Sequence, residues 1–134
     1  MFLWLDDERD PKDFGLPDAV WVKDFWEFKA FMFKEGNAEK LTAISFDHDL
    51  GMRDRDHDGN DCADMVLRLA HLDKPCNYGM DLYVHSMNPV GADRILKTLQ
   101  EFQQEAIEMG YAVGECKRVT LDYWRSQTNK YLIT

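Results

Sequence analysis

AISFDHDLG, residues 43–51, is the stretch of the sequence that decides the fold. It begins as a short, mostly apolar run and passes without a break into Asp47, His48 and Asp49. A short apolar run that ends in polar residues is typical of a strand buried on both faces of a parallel sheet. We therefore predict a strand over residues 41–46 whose carboxyl end carries three ionisable side chains.

Short apolar runs alternate with helical patterns along the rest of the chain. Parallel strands need crossover helices between them, so this order predicts an α/β fold: a single doubly wound domain over residues 1–134 with a mainly parallel five-stranded sheet. The final segment, residues 122–134, is compatible with a short closing helix or with an extended edge segment. The predicted strands are 2–5, 19–22, 41–46, 82–84 and 119–121. Three helices are predicted, beginning after Asp24, near Asp61, and at Pro89 after Asn88. Asp24 and Glu27 form a capping-box pattern at the first of these starts. The first helix is predicted to end at Gly36–Asn37 and the third at Gly110.

The charge balance restricts the classes of partner. The chain has 134 residues, with 25 acidic and 16 basic side chains and a formal net charge of −9. A charge of this sign repels the phosphate backbone of a long nucleic acid, so we do not expect an extended DNA or RNA groove. A small anionic substrate stays compatible with this charge, because binding in a closed site depends on local rather than net charge.

The cysteines and the apolar segments predict the compartment. Cys62, Cys76 and Cys116 are widely spaced and form no CxxC pair, which argues against a disulfide framework and a zinc finger. The first residues lack the pattern of a signal peptide, and no run of about 18 apolar residues occurs. We therefore expect a soluble cytoplasmic protein without a membrane segment.

Polar and ionisable side chains follow three of the predicted strands. In open α/β sheets, ligands bind outside the carboxyl ends of the strands, at the point where the strand order reverses. Three neighbouring strand ends with such side chains therefore predict a binding or catalytic site at this edge. The residues are Asp6 and Asp7, then Asp47, His48 and Asp49, and finally His85 and Ser86, just before the helix start at Asn88.

Four motifs in this order resemble one known family. They are WLDDERDP (4–11), SFDHDLG (45–51), DGND (58–61) and VHSMNPVGADRI (84–95). Together they are similar to the cyclic-phosphate processing receiver-like family, a relative of the response-regulator receiver domains. The resemblance implies a flavodoxin-like, receiver-like fold and a phosphoesterase activity on the cyclic phosphate ends of nucleotides or RNA.

The comparison with ordinary receivers also implies which residues correspond. Receivers hold magnesium with two acids after the first strand and one aspartate after the third, and they carry a hydroxyl residue after the fourth. The receiver lysine at the end of the fifth strand has no good match, because Lys117 and Arg118 precede the predicted strand. This argues against signalling through a phosphoaspartate. The matching positions are Asp6, Asp7, Asp47 and Ser86.

Two histidines, which an ordinary receiver would not need, suit hydrolysis. Opening a cyclic phosphate with water requires a base for the nucleophile and an acid for the leaving oxygen, and histidine can take either role. We predict His48 and His85 as this pair. Asp49 or Asp47 would orient one imidazole and fix its tautomer, as the third member of a catalytic triad does.

The phosphate and any metal would be held by other groups. Arg9 can bind a phosphate with two parallel hydrogen bonds, and the backbone N–H groups from Asn88 to Gly91 can bind it at a helix start. Ser86 and Asn88 complete the predicted phosphate-binding set.

Two mechanisms remain open for the acids. In one, Asp6, Asp7 and Asp47 bind Mg²⁺ or Mn²⁺; in the other, the carboxylates only orient Arg9 and the histidines. No organic cofactor is expected. The alternative class of protein is a non-catalytic receiver-like module that binds a nucleotide or a protein.

Overall fold

The computed structural model describes residues 1–51 and 54–127. Its five strands form one parallel sheet in the order β2-β1-β3-β4-β5. This is the flavodoxin-like strand order, with the reversal between β1 and β3, and it confirms the predicted α/β receiver-like fold class. The strands are β1 (Phe2–Leu5), β2 (Val20–Val22), β3 (Ala43–Phe46), β4 (Asp81–Val84) and β5 (Cys116–Arg118).

The described residues form six helical segments, of which five lie between strands and one follows β5. The predicted start of the first α-helix is confirmed, because the Glu27 backbone N–H donates to Asp24 Oδ1 at 2.8 Å. The helix ends at Phe33 rather than at Gly36, and the Asn37 side-chain amide donates to the carbonyl of Phe31 at 3.0 Å. The segments are a 3₁₀ helix (Pro11–Phe14), α1 (Phe25–Phe33), α2 (Asn37–Lys40), α3 (Gly59–His71), α4 (Pro89–Glu108) and α5 (Tyr123–Ser126).

The two faces of the sheet are covered unequally. Helices α1, α3 and α4 bury their apolar sides against one face, where Ile44 and Phe46 of β3 lie in the main core. The other face is covered by the 3₁₀ helix and by α5, whose Trp124 packs on Trp4 and Tyr83. The sheet is therefore doubly wound, with a thick helical layer on one side and a thin, aromatic layer on the other.

Two further predicted boundaries, at β5 and at α3, are wrong. The fifth strand lies at Cys116–Arg118 rather than at 119–121, because within residues 1–51 and 54–127 it is an edge strand that pairs only with β4 and tolerates polar residues. Helix α3 begins at Gly59 with Asp58 as its N-cap, and Asp61 is the third residue of that capping box. The start of this helix was predicted too late, because the apolar periodicity is strongest after Asp61.

Two further expectations concern the C-terminal tail and membrane-spanning helices. Helix α5 agrees with the closing-helix alternative for the tail, while residues 128–134 lie outside the described residues, so the single domain over 1–134 stays a prediction. Among residues 1–51 and 54–127, no helix combines the length and the apolar character that a membrane crossing requires.

Candidate active site

The carboxyl edge of the sheet brings three polar residues together. The last residues of β1, β3 and β4, namely Leu5, Phe46 and Val84, are aligned in register, so the residues that follow them are neighbours. These following residues are Asp6, Asp47 and His85. One potential ligand atom of each lies within 4.8 Å of the others, and all three residues are buried.

Asp6 is the anchor of this cluster. Its Oδ1 accepts the backbone N–H groups of Glu8 and Arg9, both at 2.9 Å. Its Oδ2 accepts from His85 Nε2 at 3.1 Å and lies 3.3 Å from Arg9 Nη1. Burial raises the pKa of Asp6, but these hydrogen bonds lower it, and the net pKa lies below the ordinary value. Asp6 is therefore ionised at neutral pH, with all of its acceptor positions in use.

His85 is enclosed on every side. Its side chain has no exposed surface, and its ring stacks on Trp4 with centroids 4.0 Å apart and an interplanar angle of 5°. Burial lowers the pKa of His85, against the raising effect of Asp6, so the ring is neutral. Because a carboxylate only accepts, Nε2 carries the proton toward Asp6. Nδ1 therefore accepts from the hydroxyl of Ser45 at 2.6 Å.

Ser45 was missed from the sequence, although a signal for it exists. It is a fully buried polar residue inside the strand Ala43–Phe46. A hydroxyl inside a buried strand needs a hydrogen-bond partner, and the partner here is His85. The buried row Ser45, His85 and Asp6 has the order of a hydrolase triad, but without exposed surface it serves to fix Asp6.

Asp47 is the least compensated acid of the cluster. Its Oδ1 accepts from the His48 backbone N–H at 2.9 Å, and its Oδ2 lies 3.8 Å from Arg9 Nη1. Burial, together with the charge of Asp6, raises the pKa of Asp47 to about 7, against the lowering effect of Arg9. Near neutral pH this carboxyl group can therefore both release and accept a proton.

His48 follows Asp47 but joins a different set of contacts. Its Nδ1 donates to Asp49 Oδ1 at 2.9 Å, which is the contact expected for an orienting carboxylate. Its Nε2 lies 3.3 Å from Asp58 Oδ2, but this buried nitrogen has no hydrogen bond among the described residues. His48 and His85 therefore belong to separate networks rather than to one contiguous pair.

Gly91 allows helix α4 to approach His48. A Cβ atom at this position would overlap the His48 ring. The N-cap Asn88 is confirmed, since its Oδ1 accepts from the Gly91 N–H at 3.0 Å. The Asn88 N–H in turn donates to the hydroxyl of the buried Ser86 at 3.1 Å. The expectation of free backbone donors from Asn88 to Gly91 is wrong for these two N–H groups, because the turn uses them itself.

A small cavity opens beside this cluster. It has a volume of about 190 Å³, and its wall contains Arg9, Met87 and four acidic side chains. Gly51 closes one side with φ of 64°, and a Cβ there would collide with the Asp7 carboxylate. Burial, and then the charge of Asp6, raises the pKa of Asp7. The four acidic side chains in the cavity wall are those of Asp7, Glu8, Asp47 and Asp49. Four other residues predicted for the site do not line this acidic cavity, namely His48, His85, Ser86 and Asn88.

Arg118 corrects the expectation that the fifth strand ends without a base. It is the last residue of β5 and pairs in register with Val84. Its Nη2 donates to the Ser86 carbonyl at 3.0 Å. A second guanidinium therefore lies at the carboxyl edge, beside the fourth strand end. The sequence prediction placed the fifth strand at 119–121, so Arg118 was expected before the strand rather than at its carboxyl end.

Alanine at Gly91 is expected to destabilise the fold by about 2 kcal/mol, because the added methyl group would displace His48 from a packed position. Urea unfolding measures the loss, and histidine NMR signals report the displaced ring. Gly79→Ala is the control, since the nearest atom to its new methyl group would lie at 3.4 Å. Equal losses in both variants would contradict this packing argument.

Strand order and the acids that follow β1 and β3 define a receiver-like α/β domain. The chain belongs to the cyclic-phosphate processing receiver domain family, whose model matches residues 1–101. The family's description thus names both the receiver fold and the processing of cyclic phosphates. No curated protein and no solved structure matches the chain in the corresponding comparisons.

Proposed function

We propose that the chain hydrolyses a cyclic phosphate on a small nucleotide or an RNA end, in the acidic cavity. The observation that carries this proposal is the placement of Arg9. Its side chain is 33% exposed and lines the cavity, while Nη1 lies 3.3 Å from Asp6 and 3.8 Å from Asp47. A guanidinium held by buried carboxylates on one side can bind an anion on the other. The family description supports a cyclic phosphate as that anion.

Arg9 would bind the phosphate and limit its orientation. The described residues provide no hydrogen-bond partner for Nε or Nη2, whereas Nη1 is held by Asp6. Guanidinium groups bind phosphate oxygens through two parallel N–H donors, which fixes geometry as well as charge. The same contact would stabilise the additional negative charge that develops on the phosphoryl oxygens.

Asp47 would transfer the proton. In the proposed reaction water adds to phosphorus, the bond from phosphorus to one ribose oxygen breaks, and the released oxygen takes a proton. A group with a pKa near the working pH is best suited to such a transfer, and Asp47 has a pKa of about 7 beside the cavity. His85 would then position Asp6, and His48 would position Asp49. The sequence-based role of the two histidines as proton carriers stays a prediction that the same assay tests.

The donor chemistry of the cavity fits Mg²⁺ or Mn²⁺. Hard cations prefer carboxylate oxygens, and Asp7, Asp47 and Asp49 all line the cavity. An ion bound to Asp47 would hold that carboxylate ionised, so metal binding and proton transfer are alternative roles for Asp47. Asp6, which the sequence comparison includes in this set, already uses its acceptor positions within the protein. When bound, the ion would neutralise charge on the phosphate. No organic cofactor is proposed.

A cleavage assay tests the proposal. The full chain is incubated with the four 2′,3′-cyclic nucleotides and with ADP-ribose cyclic phosphate, in Mg²⁺, in Mn²⁺ and in EDTA, and products are resolved by chromatography. We expect turnover of at least one substrate, with kcat/KM lowered about 100-fold in Arg9→Gln. The control Arg94→Gln removes an exposed charge from α4 and should change kcat/KM less than twofold.

The outcomes separate the alternatives. No turnover under any condition would contradict the hydrolase, and saturable binding without turnover would favour the non-catalytic module. Full activity of Arg9→Gln would contradict the phosphate-binding role. Full activity in EDTA would exclude the metal, and a large loss in His48→Gln with little loss in Asp47→Asn would assign proton transfer to the histidine.

A further inference from the structure

A second, larger cavity lies between helices α1 and α3. Its volume is about 330 Å³, and it shares no lining residue with the acidic cavity. This volume falls at the lower end of the range for small-molecule sites, which run from about 300 to 1,000 Å³. The α1–α3 cavity is therefore large enough for one small ligand and has no part in the proposed hydrolysis.

One end of the α1–α3 cavity carries a flat aromatic wall that is held in place. His57 stacks on Phe25 with ring centroids 4.0 Å apart and an interplanar angle of 7°. Buried Asp54 holds the backbone of both residues and the ring of His57: its Oδ2 accepts from the Phe25 backbone N–H, and its Oδ1 accepts from the backbone N–H and Nδ1 of His57, each at 3.1 Å. A wall preorganised in this way suits a planar ring, because little conformational entropy is lost on binding.

The other end of the α1–α3 cavity is apolar and exposed. Phe33 and Leu72 line it, and they are 61% and 66% exposed. Together they form an exposed apolar rim that a bound ligand could cover. Lys29 lies above the Phe33 ring, with Nζ 6.0 Å from its centroid, so a cation is held beside this apolar rim.

The charged side chains of the α1–α3 cavity favour a ligand that has both an anionic group and hydrogen-bond donors. Lys29, Arg68 and Lys74 all face it, and none makes an ion pair within 4 Å in the part of the chain that the structure describes. Three such cations are notable in a chain with a net charge of −9. Asp61 and Asp64 line the same cavity and can accept hydrogen bonds from ring amines.

We infer that the α1–α3 cavity is a second ligand site, which takes a nucleoside monophosphate. The base lies against the Phe25–His57 wall, with its exocyclic amine toward the acids of α3. The phosphate lies between Lys29 and Lys74, at the end of the two helices that carries Phe33. This combination of a planar ring, donor groups and one anionic end matches the three kinds of surface that the cavity presents.

Titration of the full chain with AMP, followed by amide NMR, tests this site. We expect saturable shifts within residues 25–33 and 57–74. Lys29→Gln and Lys74→Gln should each weaken AMP about fivefold, and Phe33→Ser by a similar factor, whereas Lys97→Gln, at an exposed position on α4, should not change it. All four side chains are exposed, so the variants should fold. Adenosine and inorganic phosphate should each bind at least tenfold more weakly than AMP.

Arg9→Gln distinguishes this site from the proposed active site. The variant should bind AMP at the α1–α3 cavity with unchanged affinity, whether or not the chain hydrolyses cyclic phosphates. Shifts confined to the acidic cavity, or loss of binding in Arg9→Gln, would overturn the inference. So would adenosine binding as tightly as AMP, or equal affinity in Lys29→Gln and Lys74→Gln.

Discussion

Asp47→Asn is expected to stabilise the folded protein at pH 8 by about 2 to 3 kcal/mol while removing the proposed hydrolytic activity. Burial and the neighbouring Asp6 raise the pKa of Asp47 from the ordinary value of 3.8 to about 7. At about 1.4 kcal/mol per pKa unit, keeping this carboxyl ionised above pH 7 costs roughly 4 kcal/mol. Asparagine avoids that cost and can still accept from the His48 N–H, but it loses the attraction to Arg9.

The effect of Asp47→Asn should depend on pH in one direction. Because Asp47 binds its proton more tightly in the folded chain, the folded state carries more protons than the unfolded state between about pH 4 and 7. This contribution to stability is complete below about pH 4 and is lost as the pH rises through 7. The gain from the variant should therefore be largest above pH 7.

Urea unfolding from pH 4 to pH 8 measures this dependence. The exposed loop residue Asp56 supplies the control, since Asp56→Asn should change the free energy of unfolding by less than about 0.5 kcal/mol at any of these pH values. A loss of stability in Asp47→Asn at pH 8 would show that Arg9 compensates the charge fully, against the argument made from burial.

His85→Ala is expected to destabilise the fold by about 3 to 4 kcal/mol. The substitution would leave a cavity beside Trp4 and would remove the hydrogen-bond partner of buried Ser45 and one partner of Asp6. His71→Ala is the matched control, because that ring is 50% exposed and lies 3.6 Å from Glu105, and it should cost less than about 0.5 kcal/mol. Thermal and urea unfolding give both values.

His85 should also contribute a pH dependence of the opposite sign to that of Asp47. Burial lowers the pKa of His85, so below its ordinary value of 6.5 the unfolded chain binds a proton that the folded chain excludes. Its contribution is complete above pH 6.5 and is lost as the pH falls. Measured in an Asp47→Asn background, stability should fall from pH 7 to pH 5 less steeply after His85→Gln. An unchanged slope would show that His85 titrates normally.

Local signals in the sequence were sufficient for most of the fold. The apolar runs that end at Asp6 and Asp47, and the capping residues Asp24 and Asn88, depend on neighbouring residues alone, and the structure places each where it was expected. Strand β5 depends instead on pairing along one edge. Its residues Cys116–Arg118 carry no apolar pattern, so its position could not be derived from periodicity.

The site was harder to predict than the edge on which it lies. Asp47 and His48 are neighbours in the chain directly after β3, but the network that each joins is set by distant residues. His48 is positioned by the approach of α4 at Gly91, and His85 by Ser45 and Trp4. The spacing of residues along the sequence does not encode these contacts between distant residues. It therefore could not show that two histidines on adjacent strands lie in separate networks.

The parallel stack of Trp4 on His85 makes the buried histidine optically accessible. An imidazolium in van der Waals contact with an indole quenches its emission more than the neutral ring does, so emission from Trp4 should fall when His85 gains a proton and should not fall when the ring moves away. Trp4 is fully buried, so its emission should respond little to solvent quenchers. The protein thus contains a fluorophore at the base of the cluster, and in a variant that keeps Trp4 as the single tryptophan, changes at the strand ends should be visible in its emission without a label.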